Sequence, residues 1–298
     1  MSTASVETLE PGSAPWLRTI TASKLAAILG HSPWASPLST WQQMKGLDPG
    51  EPQTAAQSRG HYHEPGVLAW WKDQHPEYTI HRDKVVLRRR GLPWAAATPE
   101  LVVEGPGQPI AGVEAKTAAD TRGAWGKPGT DEIPIYYAVQ AMWQMHLGGY
   151  EKTFVPVLGE YLTHSEYVVE YDPILGMQFE LAAFEFWESL QDDVPPDLDD
   201  HPATLESLRR TYREIDRDDA IYLDHATAAD IIDAVRSEKA ATARLTGAKS
   251  RLAADMGKAR TAYVVIDDTP VPIASRVASS TGKPYVKFAK TLPTIPKD

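Results

Sequence analysis

The chain of 298 residues contains no cysteine. That absence removes disulfides, thiolate metal ligands and iron–sulfur clusters together, so any metal must sit on oxygen or imidazole donors. Long apolar runs are missing too. Nothing approaches the roughly 20 residues of a membrane-spanning helix, and the stretch from Met1 to Gly12 is polar and acidic rather than a basic leader. The expectation is a soluble, cytoplasmic protein with no membrane partner. Positive charge is in deficit: 30 Lys and Arg stand against 40 Asp and Glu, a formal net charge of −10. Coating of nucleic acid by bulk electrostatics is thereby excluded, because that affinity comes from neutralising phosphates. If the chain handles DNA, its cations must gather at one groove. There is no glycine-rich phosphate cradle and no nucleophile-elbow serine, so ATP hydrolysis and esterase chemistry have no support.

What is present is ample core material, with 42% hydrophobic residues and nine Trp. The length exceeds one average domain, which suggests a core of about 200 residues with an appendage. Helical spacing and breakers predict a helix within Trp16 to Gly30, started by Thr21 or Ser23, then helices over Leu38 to Lys45 and Ser58 to Gln74. Strands follow at Tyr78 to Leu87, Trp94 to Glu104 and Gln108 to Thr117, the last two joined by a turn at Gly105 to Gly107. A helix at Ile135 to Leu147, strands at Lys152 to Leu158 and Glu166 to Glu170, and an apolar helix from Pro173 to Leu190 complete the pattern. This order predicts an α/β core with a central mixed sheet flanked by helices, over residues 1–198. The acidic, proline-bearing run Asp192 to Asp200 reads as a linker. Residues 199–298 then form a C-terminal appendage. It has a long helix, Ala226 to Met256, whose imperfect heptad (Ile231, Val235, Thr242, Leu245, Leu252, Met256) is broken by Glu238 and Lys249, and a short β tail.

The segment with most chemistry is Thr98-Pro99-Glu100 followed by Glu114-Ala115-Lys116. On a strand, Glu114 and Lys116 share one face while Ala115 turns to the core, and Glu100 on the adjacent strand can reach the same face. Two carboxylates and an ammonium at one point suit metal-assisted phosphodiester hydrolysis. Glu100, Glu114 and the main-chain carbonyl of Ala115 are hard oxygen ligands for Mg²⁺, and Lys116 can orient water or offset charge building in the transition state. A Glu-x-Lys pair by itself is also what solvated strands carry. Arg88-Arg89-Arg90 with Arg82 and Lys84 forms a basic patch that either meets a DNA backbone or is a solvated strand edge. Trp125, in the loop from Gly123 to Gly129, either stacks on a base from a mobile loop or packs on its own domain. His61 and His63, two apart on a helix, face apart and make a poor zinc site.

The context resembles the PD-(D/E)xK pattern, with Glu100 in place of the usual Asp. The block from Thr19 to Gly30 with Ser32-Pro33-Trp34 and Ser36-Pro37-Leu38, then Gly60-His61-Tyr62-His63-Glu64-Pro65, and Ile133-Pro134-Ile135-Tyr136-Tyr137-Ala138-Val139-Gln140, are similar to successive motifs of YqaJ-type viral recombinases and the phage lambda exonuclease group. The resemblance runs from about Trp16 to Leu190. It implies a restriction-endonuclease-like core and a Mg²⁺-dependent deoxyribonuclease, with Mn²⁺ as a substitute, that resects double-stranded DNA ends 5′ to 3′ for phage-type recombination. It further implies that Glu64 helps position metal or water, that Gln140 completes the active-site wall, and that Ser23 and an upstream arginine, here Arg18, hold a terminal 5′ phosphate. A single-strand annealing recombinase as partner and a ring-shaped homo-oligomer are implied in the same way, along with the cytoplasm of a host cell if phage-encoded. Two other readings stay open at this level: a catalytically inactive DNA-end or protein-binding module, and a RecB-like nuclease subunit of a larger complex.

Overall fold

The computed structural model describes residues 9–10, 12–119, 123–280 and 282–295. The elements are, in order, α1 (Ala14–Leu17), β1 (Ile20–Thr21), α2 (Ala22–Ile28), α3 (Pro37–Met44), α4 (Ala55–Gln74), β2 (Thr79–Asp83), β3 (Ala95–Ala96), β4 (Leu101–Gly105), β5 (Gln108–Val113) and β6 (Lys116–Thr117). They continue with α5 (Ile135–Gly148), β7 (Lys152–Leu158), β8 (His164–Glu170), α6 (Pro173–Gln191), α7 (Pro202–Thr211), α8 (His225–Met256), β9 (Thr261–Ile266), β10 (Thr269–Val277) and β11 (Tyr285–Phe288).

The central sheet has the order β2-β4-β5-β7-β6, with β8 antiparallel to β7 on its other flank. Strands β2, β4 and β5 form an antiparallel meander. Helix α5 then crosses over, so that β7 runs parallel to β5. Strands β5 and β6 both lie along β7 in one continuous register, Val113 opposite Phe154 and Lys116 opposite Val157. They are therefore one line of chain, interrupted only at Glu114 and Ala115. The sheet is mixed and helix-flanked, as the restriction-endonuclease-like expectation requires.

Alternation along the strands gives the sheet two apolar faces. Leu101, Val103, Ala111, Val113 and Phe154 pack with Leu68 and Trp71 of α4 on one side. Val102, Val155 and Val157 face the other, where they meet Leu25 of α2, Val139 and Trp143 of α5, and Phe186 of α6. Helix starts are set locally. A capping box of Ser36 and Ser39 with Pro37 in the first turn opens α3, and a second box of Thr54 and Gln57 opens α4, ahead of the Ser58 start read from periodicity. The β4–β5 turn needs glycine at 107, where φ is +68°.

The expected strand from Trp94 to Glu104 is broken in two. Residues Ala95 and Ala96 pair with β1 in parallel, and the chain resumes as β4 only after Pro99, which lacks a donor for the ladder. Compact units divide between Ile215 and Asp216, not at residue 198, because α7 belongs to the first unit. The face that α7 buries is polar. Arg210 makes a two-pronged contact with Asp48 (Nε to Oδ1 2.7 Å, Nη2 to Oδ2 2.9 Å), and the Ser207 hydroxyl lies 2.6 Å from both Gln42 Oε1 and Asp48 Oδ2. Thr204 donates to Ser36 at 2.6 Å. The second unit contains α8 and an antiparallel sheet of order β11-β10-β9. Among the described residues no helix is long and apolar enough to cross a membrane.

Asp48 is 2% exposed. Burial pushes its carboxyl up, but the hydrogen bonds from Arg210, Ser207 and the Gly50 amide, with the Arg210 charge, outweigh burial and hold it below the ordinary 3.8. A carboxyl depressed in the folded state stabilises above its unfolded value, and that stabilisation is lost as pH falls through the folded one. Asp48→Asn should therefore cost about 2 kcal/mol at neutral pH. The deficit should shrink below pH 3.8, as read by urea unfolding of both proteins across that range; an unchanged deficit in acid would remove the Asp48 charge from the account.

Candidate active site

The break between β5 and β6 does not disturb the alternation, because the Glu114 amide still donates to the Phe154 carbonyl at 2.9 Å. Val113 and Ala115 consequently pack on the α4 side, and Glu114 and Lys116 project toward α5. The Lys116 ammonium lies 2.8 Å from Glu114 Oε1 and donates to Gln140 Oε1 at 3.0 Å. Gln140 Nε2 donates back to Glu114 Oε1 at 2.6 Å, and Gln144 Nε2 donates to Glu114 Oε2 at 2.8 Å. The Tyr137 ring lies under the Lys116 ammonium, 4.6 Å from nitrogen to centroid. Tyr137, Gln140 and Gln144 occur at helical spacing, so a single face of α5 supplies all three.

A second group meets the first through Glu100. Lys84 at the end of β2 donates to Glu64 Oε1 at 2.7 Å and lies 3.7 Å from Glu100 Oε2. Burial, then the charges of Glu114 and Glu64 and a hydrogen bond with Glu64, push the Glu100 carboxyl up to about 8. Glu64 moves the other way: burial opposes it, but the Lys84 hydrogen bond and the bond shared with Glu100 hold it below the ordinary carboxylate range. At neutral pH the pair thus shares a proton, with the charge on Glu64. For Lys116, burial works against the charged form, but the neighbouring Glu114 carboxylate, with smaller help from Tyr137 and Glu100, keeps the ammonium above the ordinary Lys range.

Glu64, Glu100, Glu114, Lys116 and Gln140 are therefore gathered in one place. All the carboxylates are hard oxygen donors of the kind Mg²⁺ takes, and they are crowded enough that one is protonated and an ammonium bridges two of them. The donor chemistry suits a divalent cation. Among the described residues no group of three or more His, Cys, Asp or Glu side chains is arranged to hold an ion as it stands, so binding would require Lys84 and the shared proton to give way.

Ser23 and Arg18 are not part of this cluster. Ser23 is exposed in the first turn of α2, its hydroxyl 3.0 Å from that of Thr21. The N-cap is Thr21, which makes no side-chain capping bond. Arg18 is exposed at the C-cap of α1. Between them Lys24 points inward, donating to the carbonyls of Trp16 at 2.5 Å and Thr19 at 2.9 Å. Burial pushes it down to about 7. That lysine ties α2 to the end of α1 and to the Thr19 carbonyl and is not offered to a ligand.

Of the arginine run, Arg89 is engaged by His146 at 2.9 Å and Glu180 at 3.3 Å, and Arg88 donates to the carbonyls of Pro93 and Ala95. Two of the three arginines thus tie the domain together. Trp125 is 8% exposed and packs on Tyr137 and Tyr167 at 5.7 and 5.1 Å. Its loop is fastened by Gly126 to Glu132 and Gly129 to Glu166 backbone bonds of 2.7 and 2.8 Å. The tryptophan is a packing residue. His61 stands 3.9 Å from Glu64 and His63 takes no part in the cluster. Lys84, Tyr137 and Gln144 were missed by sequence reasoning. The two on α5 were accessible from helical spacing around Gln140; Lys84 carried no signal beyond its place in a basic stretch.

Comparison with known proteins adds the following. No curated protein matches the chain. Among solved structures, an alkaline exonuclease from Laribacter hongkongensis is similar at 18% identity, covering 62% of this chain and 94% of that one with a TM-score of 0.48. The same enzyme in complex with dAMP gives 18% identity, 67% and 96% coverage and a TM-score of 0.47. A phage-related exonuclease from Haemophilus somnus 129PT gives 12% identity, 59% and 96% coverage and 0.44. The family model described as the YqaJ-like viral recombinase domain matches residues 16–151, the span that holds the whole carboxylate, lysine and glutamine cluster.

Proposed function

We propose that the chain is a metal-dependent deoxyribonuclease that resects double-stranded DNA ends from 5′ to 3′ during recombination. The observation that carries this reading is the Glu114 carboxylate, 4% exposed and held by Lys116, Gln140 and Gln144 beside Glu100 and Glu64. Glu64, Glu100, Glu114 and the Ala115 carbonyl would hold Mg²⁺ or Mn²⁺, which when bound would polarise the scissile phosphate and acidify an attacking water. Lys116 keeps its proton and presents a fixed positive charge to the oxyanion that develops on phosphorus. Gln140 and Gln144 fix the Glu114 carboxylate, so that neither oxygen has to reorient during the reaction. Tyr137 closes one side of Lys116 against water. Ser23 and Arg18, both exposed, are assigned to the terminal 5′ phosphate of the substrate end, and resected ends with a 3′ overhang are what a single-strand annealing recombinase would take up. Cleavage by a closed ring of subunits is part of the same proposal.

Incubation of linear 5′-phosphorylated duplex with Mg²⁺ should release nucleotides from the 5′ ends. Glu114→Gln and Lys116→Ala should each lower the rate by on the order of 10² to 10³ or more while circular dichroism stays native. Wild-type turnover by either variant would take that residue out of the mechanism, and no resection with Mg²⁺ or Mn²⁺ would sink the nuclease reading. For the end contact, Ser23→Ala should raise KM on 5′-phosphorylated ends and leave 5′-hydroxyl ends unaffected. Equal losses on both kinds of end would argue that the serine is structural.

A further inference from the structure

The second compact unit carries charge of the opposite sign to the rest. The unit as a whole, Asp216 to Asp298, has 13 Lys and Arg against 11 Asp and Glu, a formal +2, and its cations gather late: from Ala234 on there are 12 against five, a formal +7 in a chain whose total is −10. Part of that charge lies on a sheet with one open face. Tyr263 is opposite Pro272 and Thr261 is opposite Ser275, with the β-bulge between Pro272 and Ala274 bringing Pro272 and Ser275 to the same side. Ser275 is in turn opposite Lys287, and Val277 opposite Tyr285. Directly opposed residues share a face, so Tyr263, Lys287 and Tyr285 project from one side, across all three strands. Tyr263 is 58% and Tyr285 51% exposed. The other side holds the buried Ala274 and Phe288, over which Lys249 of α8 sits at 5.9 Å. Lys258, Lys283 and Lys287 form no ion pair among the described residues. The only carboxylates on the sheet, Asp267 and Asp268, are confined to the β9–β10 turn, where both have positive φ.

Exposed tyrosines are costly on a surface with no use for them, and here they flank unpaired ammonium groups. Aromatic rings spaced among cations on an open sheet match the chemistry of a single nucleic-acid strand, whose bases stack and whose phosphates need neutralising. An acidic peptide would use the lysines and leave the rings unused. We propose that the face bearing Tyr263, Tyr285 and Lys287 is a binding platform for single-stranded DNA. The proposal gives a strand-binding surface to a chain already read as a nuclease, but it stands on different residues and is testable without cleavage.

The test is fluorescence anisotropy of a labelled oligothymidylate with the full chain in EDTA, where nothing is cut. The wild type should bind, with a salt dependence marking phosphate contacts. The pair Tyr263→Leu with Tyr285→Leu should weaken binding at least tenfold, whereas Tyr263→Phe with Tyr285→Phe, which keeps both rings, should bind as wild type. Lys287→Ala should reduce the slope of log affinity against log salt by about 0.7. Heparin, a polyanion without bases, should be bound equally by the wild type and both tyrosine pairs. An oligothymidylate affinity unaffected by the leucine pair, or heparin affinity lost in parallel with it, overturns the stacking platform. Absence of resection by the wild type with Mg²⁺ or Mn²⁺ would instead overturn the nuclease reading alone.

Discussion

Everything at the candidate site depends on meeting the oxygens of one buried carboxylate. Glu114 sits where the central strand line loses its regular ladder, on the side facing α5 and almost sealed from water. An ionised carboxylate in such a place is unfavourable by several kcal/mol unless its lone pairs are met. Here they are met by one ammonium and two amides, two of the three from successive turns of α5. The β5–α5–β7 crossover that makes the sheet mixed is the same feature that presses α5 onto Glu114. Fold and site share a single constraint.

The other half of the site is built on the opposite principle. Glu64 and Glu100 approach so closely that one keeps a proton, and Lys84 leans over them in a backbone conformation with φ of +44°. A non-glycine residue held there is backbone strain of a kind that clusters at functional sites. Glu114 is held by fixed donors on one helix and one strand, whereas the Glu64 and Glu100 pair is balanced by one retained proton and the exposed Lys84. The asymmetry gives a hard cation a side from which to enter and leaves Lys116 fixed on the far side.

How far the sequence carried this picture differs by element. Glu114 and Lys116 were legible because period-two alternation survives the gap between β5 and β6. Gln140 and Glu64 came from resemblance alone; neither has a local pattern that distinguishes it from a surface residue. The split of the expected 94–104 strand is a local matter that Pro99 announces. Helix α7 was invisible to apolar periodicity because the side it buries carries Thr204, Ser207 and Arg210, which dock on Asp48, Gln42 and Ser36. A reading that looks for apolar stripes places the domain border too early whenever a helix is held by polar contacts. The arginine run shows the converse: Arg88 and Arg89 look like a patch for phosphate and are in fact spent on carbonyls, a histidine and a carboxylate.

Net charge argues only against bulk coating of nucleic acid, and the distribution of charge shows where cations gather. A total of −10 is the sum of a strongly acidic first part and a basic last part, and long-range fields follow the local arrangement because screening confines each charge to about 8 to 10 Å. At Glu64, Glu100 and Glu114 the carboxyls are answered by Lys84, Lys116 and one retained proton, so the cluster offers a polyanion no net positive field. A polyanion would therefore be drawn first to the cationic surfaces. Attraction of that kind follows the local arrangement of charge and requires no net positive charge on the protein as a whole.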